Sequence, residues 1–237
     1  TGVVIPESVR TIGESAFEGC SALADVVIPE SVWTIGDRAF AYSGLTDVTI
    51  PGTVKILSSG LFSDCEKLKS VTLAEGVTQI GAQVFMHCSN LEEVALPDSL
   101  TTLKAQAFSE SGITKVVIPK GVITIEDMAF TMCGNLSGIE VVQENANFAS
   151  LDGILYYKNL SKLICCPGGK AGYLRLPEET AVLGEGSFWG CRQLKSVIIP
   201  EAVRVIQGVF MYCESMTSIT IPASVTTIGP GEFTNSE

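Results

Sequence analysis

Apolar positions return along this chain every 22 or 23 residues, with a single step of 35. An Ile-Pro or Leu-Pro pair marks most returns: Ile5-Pro6, Ile28-Pro29, Ile50-Pro51, Leu96-Pro97, Ile118-Pro119, Leu176-Pro177, Ile199-Pro200 and Ile221-Pro222. Leu73-Ala74 and Val141-Val142 stand at the other two. Phenylalanine keeps the same period at Phe17, Phe40, Phe62, Phe85, Phe108, Phe130, Phe188, Phe210 and Phe233, which is nine of the ten in the chain. Self-similarity at this period marks a stacked repeat.

Within a unit, Leu23-Ala24-Asp25-Val26-Val27-Ile28 ends in alternation, with Val26 and Ile28 on one side and Val27 on the other. That predicts a short, half-buried strand. Pro29 ends it, having no N–H to donate. Val32 and Ile35 form a second short apolar pair, and Gly36 turns the chain. Asp37-Arg38-Ala39-Phe40 leaves room for about one helical turn. A unit this short cannot enclose a core, but stacked units can, with Leu, Val, Ile, Phe and Cys in continuous interior ladders.

Strings such as IPESVRTIGESAFEGCSAL and LPDSLTTLKAQAFSESGI resemble the type-5 leucine-rich repeat of BspA-like bacterial surface proteins and their Treponema relatives. The resemblance covers essentially the whole chain. It implies a repeat solenoid, a right-handed leucine-rich-repeat horseshoe of about ten coils with a parallel β-sheet on its concave face and few short helical turns. It also implies an extracellular or cell-surface protein that binds other proteins or mediates adhesion, and no enzyme activity.

Two units lose one residue after Phe, at Tyr42-Ser43-Gly44 and Glu110-Ser111-Gly112, where Ser-Gly replaces Cys and its followers. Glycine there predicts a tightened turn. Phe210 comes one residue early after Ile206, so that coil needs a local adjustment. The long step holds NANFASLDGILYYKNLSKLICCPGG. Its runs Ile154–Tyr157 and Lys162–Cys166 predict a β-hairpin that projects beyond the standard coil, in a variant unit at about 142–175. No other linker is visible, which predicts one solenoid domain over residues 1–237. Both ends lie in repeat register, which predicts a fragment of a longer protein.

Cys20, Cys65, Cys88, Cys133, Cys191 and Cys213 each follow the repeat Phe by three residues. They form a ladder in which Ser43 and Ser111 are the missing rungs. Adjacent coils are close enough for disulfides 65–88 and 191–213, yet Ser fills the same slot elsewhere, so buried free thiols are expected. Cys165 and Cys166 lie in a strand-like run, pointing to opposite faces.

The 237 residues are 46% hydrophobic and 17% charged, so the chain has ample apolar side chain to bury. A net charge of −11 argues against nucleic acid and anionic membrane as partners. No apolar run approaches the roughly 18 residues of a membrane span. Catalysis is poorly served. The single histidine, His87, reads as a surface residue of a variable turn, and no nucleophile elbow, phosphate loop or EF-hand loop accompanies it. No metal site and no cofactor are expected.

Two surfaces remain as candidates. The outward strand positions carry Asp25, Asp47 and Glu93, then mostly hydroxyl and β-branched residues. The two positions after Phe hold Tyr42, Met86, His87, Met132, Trp189, Met211 and Tyr212, where polar residues would be the default. Trp33 is a further candidate exposed aromatic. The sequence therefore predicts a non-enzymatic binding or adhesion module for a protein partner, such as a host matrix protein, with a glycan as the other ligand class because sugar rings stack on aromatic rows. A spacer without a ligand and a hydrolase built from scattered carboxylates are the other readings.

Overall fold

A computed structural model describes residues 2–236. Ten short strands, from Gly2–Val4 to Ser218–Thr220, recur once per unit. Where neighbours pair they do so in parallel, as in Asp47↔Ser70↔Glu93 and Val48↔Val71↔Val94, with one shift of register between Gly172 and Tyr173. Their burial alternates as the sequence predicts: Asp47 and Thr49 face out, Val48 and Ile50 face in. A second file of two-residue strands follows, for example Ile56–Leu57, Gln79–Ile80, Thr102–Leu103 and Thr124–Ile125, again parallel.

The third segment of each coil is not the helical turn that its length suggests; the described residues contain no helix. Residues two before and two after each of the nine repeat Phe adopt left-handed backbone. Before Phe, these run from Ser15 (φ 54°) to Met128 (φ 67°); after it, from Tyr42 (φ 56°) to Gly190 (φ 76°). Alternating hands of backbone turn every second N–H out of the coil. Arg38, Phe40 and Tyr42 donate to the carbonyls of Ser59, Leu61 and Ser63 on the next coil, at 2.9, 3.0 and 2.9 Å. The intervening N–H groups close tight turns within the coil, such as Ala41 to Arg38 O at 3.0 Å. A helical turn would consume these donors internally, whereas here they tie coils together.

The phenylalanines stack as two rows rather than one. Phe17, Phe40, Phe62, Phe85, Phe108 and Phe130 lie 5.1–5.9 Å apart, centroid to centroid. Phe188, Phe210 and Phe233 form the second row at 4.8 and 5.7 Å. Phe17 and Phe233, at the outer ends of the two rows, are only half-buried. Beside these rows, Cys65, Cys88, Cys133 and Cys213 donate their thiols to the carbonyls of Phe40, Phe62, Phe108 and Phe188 at 3.0–3.2 Å. The slot thus wants a small side chain with a donor. Ser236 fills it too, with its hydroxyl 2.9 Å from Phe210 O. Ser43 and Ser111 are buried against Cys65 and Cys133. At the shortened turns, a Cβ on Gly44 or Gly112 would lie 2.2 Å from the Ser21 or Ser89 carbonyl of the preceding coil, so close approach rather than φ demands glycine. Where Phe210 comes early, the buried Glu232 carboxylate accepts the N–H groups of Val209 and Phe210 at 2.7 and 3.0 Å.

The insert does not project. Phe148–Leu151, Ile154–Tyr157 and Lys162–Cys165 form an antiparallel three-stranded meander, the last strand of which joins Val182–Leu183 in the second file. It lies across the interior. Leu155, Ile164 and Cys165 pack into one hydrophobic core; Ile154, Tyr156, Leu163 and Cys166 pack into another. The runs are apolar on both faces because both faces are buried. Asn145 anchors the meander: its Nδ2 donates to Pro119 O (2.8 Å) and Val122 O (3.1 Å), and its Oδ1 accepts from Asn147 and Phe148. This coil has no Phe turn of its own, so Met132 N donates directly to Trp189 O at 3.2 Å.

All eight cysteines are free, seven of them buried, but Cys20 is exposed because its coil has no preceding neighbour among the described residues. Burial pushes the Cys133 and Cys213 thiols up to about 12. Alkylation of native protein should therefore modify Cys20 alone, with the other seven reacting only on unfolding, as read by intact mass; a second fast site would contradict the burial. Phe85→Ala should cost about 3–5 kcal/mol in chemical denaturation. Phe17→Ala should cost clearly less, because Phe17 has one ring neighbour and is half-buried.

Candidate functional site

The two positions after each Phe form adjoining files along the stack. The second residue is left-handed, and its N–H reaches the carbonyl of the first residue on the next coil: Asp64 to Met86 at 2.8 Å, His87 to Ser109 at 3.0 Å, Gly190 to Met211 at 3.1 Å. This backbone ladder sets the spacing of the side chains it carries, among which are most of the candidates named above.

The files divide into two stretches. In the first, Tyr42, Asp64, His87 and Glu110 follow one another on successive coils. Tyr42 is 47% exposed, with the Arg38 guanidinium 5.6 Å from its ring centroid. His87 is not the free surface histidine its turn suggests. Its Nδ1 lies 2.9 Å from Asp64 Oδ1 and its Nε2 lies 3.1 Å from Glu110 Oε1, so one imidazole bridges three coils. Partial burial pulls its pKa down, but hydrogen bonds and charge from Glu110 and Asp64 outweigh that and hold it above the ordinary value of 6.5. The neighbouring Cys88 thiol points inward to Phe62 O at 3.1 Å, out of reach of nucleophilic use with this imidazole.

In the second stretch, Met132, Trp189, Met211 and Tyr212 are half-buried neighbours. Sequence spacing puts a whole unit between Met132 and Trp189; the insert removes that unit's turn and brings them side by side, which spacing alone could not reveal. The Trp189 Nε1 is enclosed and has no hydrogen-bond partner. Met86 lies apart in the same file, next to Ser109.

The remaining candidates lie elsewhere. Trp33, 62% exposed, stands between Arg10 and Lys55 in a cleft of about 460 Å³ on another face. Asp25, Asp47 and Glu93 are exposed on the first-strand face. Asp25 and Asp47 line a shallow hollow of about 330 Å³ with Thr49, Ser70 and Thr72. Further along, Lys115 and Glu140 pair at 2.9 Å and neutralise the face. Among the described residues, no three His, Cys, Asp or Glu side chains are placed to hold a metal, and no helix is long and apolar enough to cross a membrane.

A raised folded-state pKa fixes the sign of the pH effect. The bridge from His87 contributes fully below the unfolded value of about 6.5 and is lost as pH rises through the folded value. His87→Gln should therefore lower the melting temperature at pH 5.5 and make progressively less difference as pH rises past 7. A difference independent of pH would show that His87 acts by packing alone.

Comparison with known proteins follows the same repeat. The family model for the BspA type leucine rich repeat region matches over residues 1–111, 59–167 and 101–237, with 6 copies. A leucine rich cell surface protein from Faecalibacterium prausnitzii is similar at 28% identity and a TM-score of 0.69, over 98% of this chain and 79% of that one. A leucine-rich repeat protein from Eubacterium ventriosum is similar at 26% identity and a TM-score of 0.67, over 96% of this chain and 55% of that one. The pneumococcal vaccine antigen PcpA shares the fold at 22% identity and a TM-score of 0.72; the chain covers 60% of its length. No curated protein sequence matches. The matched ranges of the family model run from one end of the stack to the other, and the chain belongs to the BspA type leucine rich repeat family.

Proposed function

We propose that this chain is a non-enzymatic binding or adhesion module at the outer surface of a bacterial cell, and that it holds a protein partner on the patch Met132, Trp189, Met211 and Tyr212. The supporting observation is the half-buried Trp189, whose coil is tied by main-chain bonds to those of Met132 and Met211, so that large side chains stand on adjoining rungs of one backbone ladder. Large amphipathic side chains fixed in place lose little entropy on contact, and Trp and Tyr dominate interface hot spots. The extracellular setting is supported by the family and by the similar Faecalibacterium protein, a leucine rich cell surface protein.

A second reading places the contact on the first-strand face, where Asp25, Asp47 and Glu93 are exposed and carry charge. Binding there would be electrostatic and weaken with added salt. A glycan ligand would instead use ring stacking on Trp189 and Tyr212.

The test is a screen of purified protein against host extracellular proteins and glycans, followed by two double variants. Trp189→Ala with Tyr212→Ala should weaken binding by about 2 kcal/mol or more. Asp25→Asn with Asp47→Asn should leave it unchanged. The reverse pattern moves the contact to the first-strand face. Parent-like binding by both variants removes both surfaces as the contact, and no ligand at all favours a spacer.

A further inference from the structure

The second file of strands pairs in runs, with breaks between Thr34–Ile35 and Ile56–Leu57, between Val182–Leu183 and Val205–Ile206, and after Thr124–Ile125, the last being where the insert takes the place of the next coil. Lys55 and Leu57 carbonyls accept from Thr78 and Gly81 on the following coil, Thr78 and Ile80 accept from Thr101 and Lys104, and Thr101 and Leu103 accept from Ile123 and Glu126. The next rung is missing. The register Thr102↔Thr124 and Leu103↔Ile125 turns the Ile123 N–H and the Thr124 peptide groups to the preceding coil, and the Ile123 carbonyl and the Ile125 peptide groups to the following side. There the chain goes instead into Ala146–Phe148, whose N–H groups at Asn147 and Phe148 are held by Asn145 Oδ1 at 2.8 and 2.9 Å. Among the described residues, neither the Ile123 nor the Ile125 carbonyl receives a main-chain bond.

This edge forms one wall of an open cleft of about 460 Å³, faced by Phe148, Tyr157 and Lys158. Ile123 is 61% exposed and Tyr157 is 42% exposed, so the cleft has apolar sides. Lys158 is exposed, and no carboxylate pairs with it among the described residues, in a chain of net charge −11.

We propose that the cleft takes one extended peptide segment of a protein partner, added as a strand to the edge Ile123–Ile125. The segment would lay an apolar side chain against Ile123 and Tyr157 and an acidic one beside Lys158. The open groups select the occupant. Two carbonyls two residues apart call for N–H donors with the same repeat, which an extended polypeptide supplies and a glycan does not. Strand addition also removes the exposed edge, which is otherwise a liability for non-specific pairing. The inference rests on the reading of the chain as a protein-binding module and gives it a second site, remote from Trp189 in sequence position and chemistry.

A library of random linear ten-residue peptides displayed on phage, selected on the full chain and counter-selected on Ile123→Lys, supplies the probe. Ile123 is a surface residue, so that variant leaves the core untouched. The enriched peptide should bind the parent and lose at least about tenfold in affinity to Lys158→Glu. N-methylation of one alternate set of its amides should abolish binding while methylation of the other set does not, and the Ile125 amide should gain protection from hydrogen exchange. Failure of any peptide to enrich over Ile123→Lys overturns the proposal, as does affinity indifferent to N-methylation at every position. Protection appearing at Trp189 and Tyr212 instead also overturns it, but leaves the protein-binding reading intact.

Discussion

Hydrogen bonding between neighbouring coils is the constraint on which the rest of this structure depends. A coil of 22 or 23 residues has too little interior to satisfy its own peptide groups, so each segment passes them to the next coil. Two segments do so as parallel strands. The third does so with alternating right- and left-handed residues, which orient the N–H groups of Arg38, Phe40 and Tyr42 towards one neighbour. Left-handed backbone at Gln83, Gln106 and Met128 is intrinsically costly for residues with a Cβ. The cost persists because these turns are tied to the coils on both sides, as where Gln83 N–H donates to Ala105 O and Ala82 O accepts from Gly60.

Side-chain choice follows from that geometry. Phe stacks because its position repeats at the coil spacing, within the range that suits offset aromatic pairs. Cys recurs because the slot beside Phe is small and needs a donor for the Phe carbonyl, a need that Ser236 meets equally well. The surface is then an accident of which residues sit where the core places no demand. In the files after Phe, the N-terminal stretch became a carboxylate–imidazole–carboxylate bridge and the C-terminal stretch an apolar patch.

Most of the architecture was legible in the sequence, because one period governs Pro, Phe and Cys together. Strand faces at Asp25, Asp47 and Thr49 could be read from alternation alone. The turn at Asp37–Phe40 looks helical by length, since left-handed backbone at Arg38 has no sequence mark: elsewhere the same position holds Gly, Gln, Met or Ser. The meander resembles an outward hairpin in its turn signals, although its two-sided apolar runs Ile154–Tyr156 and Leu163–Cys166 carry the signal of burial on both faces. The bridge at His87 is hidden in the sequence because Asp64 and Glu110 lie 23 residues away on either side, at one repeat position whose carboxylates look scattered along the chain. The meeting of Met132 with Trp189 depends on a turn that the insert deletes, and no spacing rule anticipates a deletion of that kind.

The meander across the interior has a consequence for how order spreads along the stack. In a linear array, cooperativity passes only between nearest neighbours. Here the ring row that carries it ends at Phe130 and restarts at Phe188, and the side chains of Ile154–Tyr156 and Leu163–Cys166 divide between the two hydrophobic cores, while main-chain bonds such as Met132 N–H to Trp189 O still cross from one side to the other. This partition thins the apolar contact through which one coil reinforces the next, so the two blocks couple less tightly across it than coils do within either. Local opening on one side then spreads more readily within its own block than past the partition.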